Sequence, residues 1–147
     1  MILSRDVVRP GSNVTLDFPL LLDRVSPPLA GLVIRSGGSL VFSSAAPLAS
    51  LTAGFVYIGE GGALVIGSEE CPFSGRAELV LTGRPGELEL PDIGGKVLVV
   101  ARGGRLEVHG EEKVAWTRLE GSVAPAEGHR EIRLQGDVTS WRPGWWR

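Results

Sequence analysis

LVIRSGGSLVF (residues 32–42), VYIGEGGALVI (residues 56–66) and LVVARGGRLEV (residues 98–108) are three copies of one pattern. Aligned on their glycine pairs, Gly37-Gly38, Gly61-Gly62 and Gly103-Gly104, they agree at four positions. Leu32, Val56 and Leu98 stand five residues before the first glycine, and Ile34, Ile58 and Val100 stand three before it. Leu40, Leu64 and Leu106 follow three after it, and Phe42, Ile66 and Val108 five after it. All twelve are apolar. Successive strand side chains point to opposite faces, so this period-two alternation collects the twelve on one face and predicts a strand, corner, strand unit. The corner wants glycine because a Cβ is penalised at positive φ, and two glycines let the chain turn within a few residues.

Such a unit is either a hairpin with a Gly-Gly turn or the corner of a winding chain whose two strands both turn their apolar face inward. The first two pairs lie 24 residues apart, the length of one repeat in a solenoid; the next interval is 42. The longer interval holds one circuit plus a loop, or two short circuits, and contains a further strand candidate at residues 77–82. This spacing favours an all-β parallel β-helix or β-roll, with an antiparallel β-sandwich as the alternative. Residues 14–18 and 132–135 are strand candidates that serve as caps or further rungs, because an uncapped edge offers unpaired backbone groups to other chains. Ser26-Pro27-Pro28, Arg84-Pro85-Gly86 and Pro125 disfavour central strands. A short helix is expected around residues 45–53.

The 147 residues suit one domain, 43% hydrophobic and 22% charged, as in an ordered globular protein. Glycine, at 21 residues, is about twice its ~7% usual share, consistent with many tight corners. A formal net charge of −2 gives no electrostatic reason to expect nucleic acid as a partner. Arginine outnumbers lysine 13 to 2, and its planar fork suits carboxylates and sulfates, although most surface charge is simply solvated. Cys71 is alone, which excludes a disulfide and a cysteine-based zinc site within this stretch; it is a buried thiol or half of a bridge whose partner lies outside the stretch. Met1-Ile2-Leu3-Ser4-Arg5-Asp6 meets charge before any apolar run, and no run approaches the ~18 residues of a membrane span. Neither a signal peptide nor a membrane segment is therefore expected in this chain.

No catalytic, cofactor-binding or metal-binding set stands out. A glycosidase usually sets two carboxyl groups across the scissile bond. Here Glu69-Glu70, Glu111-Glu112 and Glu87, Glu89, Asp92 sit beside turns and read as solvated loops. His109 and His129 lack a triad or metal partner at motif spacing, and His109 reads as a strand-end histidine. Gly59-Glu60-Gly61-Gly62 lacks the helix and Lys-Ser/Thr pair of a phosphate loop. Asn13-Val14-Thr15 is a glycosylation sequon, meaningful on the secretory path. Trp141 is expected to pack in the core, and Trp145 and Trp146, beside Arg142 and Arg147, to end the chain. Stacking of a sugar on an exposed indole is the other use of such residues.

Taken in order, Asn13-Val14-Thr15, Ser26-Pro27-Pro28, LVIRSGGSLVF, IGEGGALVIGSEECPFSGRAELVLTG, the segment Gly103-Gly104-Arg105-Leu106-Glu107-Val108-His109-Gly110 and Trp116-Thr117-Arg118-Leu119 resemble the eight-glycine extracellular domain. That domain occurs in cell-migration-inducing and transmembrane hyaluronidases and in fibrocystin-like proteins. The resemblance covers residues 11–144, with 1–10 as a lead-in and 145–147 as a tail. IGSEECPF, LEVHG and WTRL look closer to the hyaluronidase branch. The resemblance implies an extracellular, β-rich module in proteins tied to hyaluronan binding and depolymerisation. With no acid/base pair in view the chain is expected to be a non-catalytic scaffold or interaction module; the alternatives are a direct contribution to hyaluronan depolymerisation in the full-length enzyme and a fibrocystin-type adhesion or receptor module without a glycan ligand. The implied partners are the remainder of a larger β-helical protein and hyaluronan. For such an anionic polysaccharide Arg35, Arg102 and Arg105 are the candidate contacts, since they flank successive corners. In the family the segment resembling residues 138–144 leads into Asp and another apolar strand, whereas here Trp145-Trp146-Arg147 follows, as at a truncation point.

Overall fold

A computed structural model describes residues 8–84, 86, 94–122 and 131–141. Glu87, Glu89, Asp92, His129, Pro85, Pro125, Trp145, Trp146, Arg142 and Arg147 lie outside them, as does the stretch 1–6. The chain divides into two units, residues 1–111 and 112–147.

In the first unit the described residues form nine strands: β1 Asn13–Leu16, β2 Pro19–Leu22, β3 Leu29–Ile34, β4 Ser39–Phe42, β5 Ala49–Ile58, β6 Ala63–Ile66, β7 Ala77–Leu81, β8 Leu98–Val100 and β9 Arg105–Val108. They make two sheets, β1-β3-β5-β7 with β8 also on β5, and β2-β4-β6-β9. Every pairing between these strands is parallel. The strands flanking each Gly-Gly corner belong to different sheets, so the corner passes the chain from one sheet to the other. The hairpin and the antiparallel pairing of a sandwich are absent among the named strands.

The register follows the sequence repeat. Leu32 pairs with Val56 and Val56 with Leu98; Ile34 pairs with Ile58 and Ile58 with Val100. In the second sheet Leu40 pairs with Leu64, Leu64 with Leu106, and Ile66 with Val108. Stacking identical apolar positions gives a continuous interior. Leu16, Leu22, Leu32, Ile34, Leu40, Leu51, Val56, Ile58 and Leu64 are almost wholly removed from solvent. Each such side chain contributes about 1.5–3 kcal/mol by leaving water. The stack is open at its last rung, where Val100, Leu106 and Val108 are 44%, 38% and 62% exposed.

The 42-residue interval is one circuit with a loop. β7 pairs with the first half of β5, from Ala49 to Ala53, and β8 with its end, from Val56 to Ile58. One rung is thus split by the segment between Leu81 and Leu98. The helix expected around residues 45–53 is not formed. After a turn, β5 begins at Ala49 and buries Ala49, Leu51 and Ala53 completely. The high helix propensity of alanine yields to backbone pairing with β7 and to burial of alternate residues. The candidate at residues 14–18 is met by β1 as far as Leu16, whereas residues 132–135 form no strand; Leu134 makes a single antiparallel bridge to Leu119. The Pro27-Pro28 corner is tied to β5 by Ser26. Its amide donates to the Ser50 carbonyl at 2.8 Å, and its buried hydroxyl accepts the Thr52 N–H at 3.1 Å. No described helix is long and apolar enough to cross a membrane.

The two glycines of a corner have separate reasons to be glycine. Gly37, Gly61 and Gly103 sit at φ 82°, 68° and 80°, as the third residue of a turn closed by the following glycine's N–H on the carbonyl of Arg35, Gly59 or Ala101. Gly38, Gly62 and Gly104 lie over the preceding rung. A Cβ on Gly62 or Gly104 would stand 2.5 Å from the carbonyl oxygen of Ile34 or Ile58, and one on Gly38 would run into that of Leu16. Replacing Gly62 by Ala should therefore cost about 1–3 kcal/mol in denaturant unfolding. Gly110→Ala, where nothing lies within 4 Å of the added methyl, should stay within about 0.5 kcal/mol of the parent. Equal losses would contradict the close stacking of corners.

Candidate functional site

The corners bring charged side chains to one edge of the first unit. Asp17, Arg35, Gly59 and Ala101 follow the paired residues Leu16, Ile34, Ile58 and Val100. One position further on stand Ser36, Glu60 and Arg102. The glycines here are packed by these neighbours: a Cβ on Gly61 would meet the Ser36 hydroxyl at 2.9 Å, and one on Gly103 the Glu60 Cγ at 3.0 Å. Arg35 and Arg102 are both exposed, but they are two rungs apart, roughly 10 Å at a parallel strand spacing. Glu60 occupies the rung between them.

Arg105 opens β9, pairs in register with Ala63, and points its guanidinium at Glu107, 3.0 Å away. This ion pair is largely solvated, so it contributes little to stability and leaves the arginine available at the surface. Arg102 and Arg105 thus share one corner, with Arg35 further along the edge. Counted rung by rung over the two adjacent corner columns, the corners carry Asp17, Arg35, Glu60 and Arg102, acid and base in turn.

The other candidate residues are placed apart from this edge. Asn13 and Thr15 are exposed on β1, at the border of its sheet, while Val14 and Leu16 turn inward. His109 follows β9, donating its N–H to Ile66 O at 2.8 Å and accepting the Phe73 N–H at 2.7 Å. Its backbone therefore anchors the loop after β6, whose Phe73 is buried in the core. Glu69 and Glu70 are exposed on that loop. Cys71 closes it in a tight turn, its N–H on the Ser68 hydroxyl at 3.0 Å and its carbonyl accepting the Ser68 N–H at 2.9 Å. The thiol is free and exposed, not buried. Glu111 and Glu112 are exposed. Among the described residues no group of His, Cys, Asp and Glu is arranged to hold a metal ion.

The second unit holds a cleft that the sequence did not reveal. Two extended segments run antiparallel: Gln135 N–H donates to Arg118 O at 2.8 Å, Glu120 N–H to Arg133 O at 2.9 Å, and Leu119 bridges Leu134. Residues of both segments line an open cleft of about 400 Å³, among them Trp116, Thr117, Arg118, Gln135 and Asp137. Trp116 and Arg118, two residues apart in an extended segment, share a side, and the guanidinium carbon lies 5.8 Å from the indole centre. The Asp137 carboxylate accepts the Thr139 N–H at 2.9 Å, a bond that holds its pKa below the ordinary carboxylate value. Trp141 is not a core residue: it is 44% exposed, and its indole N–H donates to Val114 O. The Trp116–Arg118 spacing was visible in the sequence. Its partner across the cleft, 17 residues away or more, carried no motif.

The described residues of the first unit wind through two parallel sheets, with a glycine pair at three of the crossings, which defines a class of all-β repeat module. The chain belongs to the G8 domain family, whose model matches residues 4–120. It is similar to the cell migration-inducing and hyaluronan-binding protein of Mus musculus, with 38% identity over 107 residues, covering 71% of this chain and 8% of that protein. It is also similar to fibrocystin-L of Homo sapiens, with 40% identity over 132 residues, covering 89% of this chain and 3% of that protein. Cell surface hyaluronidase of Danio rerio is 36% identical over 128 residues, covering 83% and 9%. The chain spans less than a tenth of the length of each of these relatives.

Proposed function

We propose that this chain is a non-catalytic extracellular scaffold and interaction module, wound as a parallel β-helix, that serves hyaluronan binding and turnover within a larger β-helical protein. The observation that carries the proposal is the G8 match together with relatives named for hyaluronan binding and hyaluronidase activity. The fold supports a scaffold: its interior is filled by leucine, isoleucine and valine. The candidate carboxylates among the described residues, Glu69, Glu70, Glu111 and Glu112, are exposed side chains. The last rung supports a larger partner, since exposed Val100, Leu106 and Val108 continue the interior stack and offer an apolar rung for the next element.

Hyaluronan is met by Arg102 and Arg105 on the last corner, with Arg35 as an outlying contact. Guanidinium groups suit carboxylates, and the exposed pair with Glu107 is weak enough to exchange for a ligand. The 40% identity to fibrocystin-L favours a second use, an adhesion or receptor module with no glycan ligand.

Purified chain should be retained on immobilised high-molecular-weight hyaluronan, less so as salt rises, and should leave polymer length unchanged. Arg102→Ala with Arg105→Ala should weaken retention about tenfold, equivalent to ~1.4 kcal/mol. No retention at low salt would favour the adhesion use, unchanged retention in the double variant would remove the arginine site, and polymer shortening would overturn the non-catalytic role. Asn13, exposed beside Thr15 on the outward side of β1, is the proposed N-glycan acceptor. Secretion from a eukaryotic host should add one glycan by mass, lost in Asn13→Gln; an unmodified Asn13 in secreted chain would refute it.

A further inference from the structure

We propose that the cleft of the second unit is a binding site for a neutral saccharide, with the indole of Trp116 as platform and Arg118, Gln135 and Asp137 as its hydroxyl contacts. The family match ends at residue 120, so half of this cleft lies beyond it. The site is also independent of the corner arginines and of the hyaluronan proposal.

Trp116 is 69% exposed, the most exposed large apolar residue among those described. An indole left in water is unfavourable unless something covers it, and a pyranose ring presents an apolar C–H face that fits an indole face. The Arg118 guanidinium carbon lies 5.8 Å from the centre of the same ring, which brings its donors beside the platform. Across the cleft Gly136 keeps the floor low: a Cβ there would meet Thr117 Oγ1 at 3.1 Å.

The polar groups match sugar hydroxyls, each of which donates one hydrogen bond and accepts others. Arg118 is a pure donor, ionised Asp137 a pure acceptor, and Gln135 and Thr117 do both. Asp137 gives one oxygen, Oδ1, to the Thr139 N–H, which fixes the carboxylate in place and holds it ionised. The Thr139 side chain also bonds to this carboxylate, whose roughly four lone-pair sites still leave room for a sugar hydroxyl. Charge selects the ligand: one guanidinium and one carboxylate cancel, so the cleft offers no net attraction to a polyanion, and an acidic ring beside Asp137 would be repelled. A purely apolar ligand would strip water from Arg118 and Asp137 without replacing their hydrogen bonds. A volume of about 400 Å³ lies at the small end of ligand sites, which suits one or two sugar rings.

The test uses the full chain labelled with 15N, titrated to millimolar concentration with cellotriose, chitotriose, maltotriose and lactose, and separately with a hyaluronan tetrasaccharide. At least one neutral sugar should shift the Trp116 indole N–H signal saturably. Trp116→Ala and Asp137→Ala should each weaken the interaction about tenfold, the latter read at the Trp116 signal and the former at the Gln135 side-chain amide. Trp116→Phe, which keeps an aromatic face, should retain part of it if the alanine variant unfolds. Hyaluronan retention by Trp116→Ala should equal that of the parent, which separates this site from the arginine corner. The proposal is overturned if none of the neutral sugars shifts the indole, if Asp137→Ala binds as the parent does, or if the hyaluronan tetrasaccharide alone produces the shift.

Discussion

The close contact between the second glycine of each corner and a carbonyl of the rung before it is the constraint on which the first unit depends. With Gly38, Gly62 and Gly104 seated on Leu16, Ile34 and Ile58, the corners stack as closely as the strands on either side. The hydrogen bonds across the corner continue the ladders: Gly59 N–H donates to Ile34 O at 2.8 Å, Ala101 N–H to Ile58 O at 2.9 Å, and Arg105 N–H to Gly62 O at 3.0 Å. A side chain at the corner would part the rungs at that edge. The parallel pairing of both sheets would then lose its register, because a shift of one residue would turn each inward leucine or isoleucine to the opposite face.

From that contact the surface follows. Turning the chain within four residues leaves the two positions before each glycine pair at the edge, and these are where Arg35, Glu60 and Arg102 are displayed. Loops enter only where a circuit is long enough to carry them. The segment after β6 is held by buried Phe73 and by the backbone of His109, so Cys71, Glu69 and Glu70 are presented outward without disturbing the core. The rung formed by β7 and β8 is split in a similar way, its two halves pairing with successive parts of β5.

Much of this architecture was legible in three eleven-residue segments. Apolar alternation around equivalent glycines is a direct consequence of stacking equivalent residues, which is why the sequence alignment and the pairing of Leu32, Val56 and Leu98 coincide. The helix expected near residue 49 failed because alanine's local preference carries no information about a partner strand; β7, 28 residues on in register, supplies it. Cys71 was open to either placement, since a single thiol has no spacing to read. The cleft was harder still. Trp116 and Arg118 form half of a site, and Gln135 and Asp137 become its other half only through an antiparallel contact that neither segment announces by itself.

The central claim is that each Gly-Gly corner joins two sheets instead of closing a hairpin, and through-space contacts between backbone protons in solution test it most directly. Parallel stacking predicts cross-strand contacts linking Tyr57 to Val99 and Leu64 to Leu106, with none between Tyr57 and Leu64 across the corner. Strong backbone contacts between Tyr57 and Leu64, with those to Val99 and Leu106 missing, would contradict it.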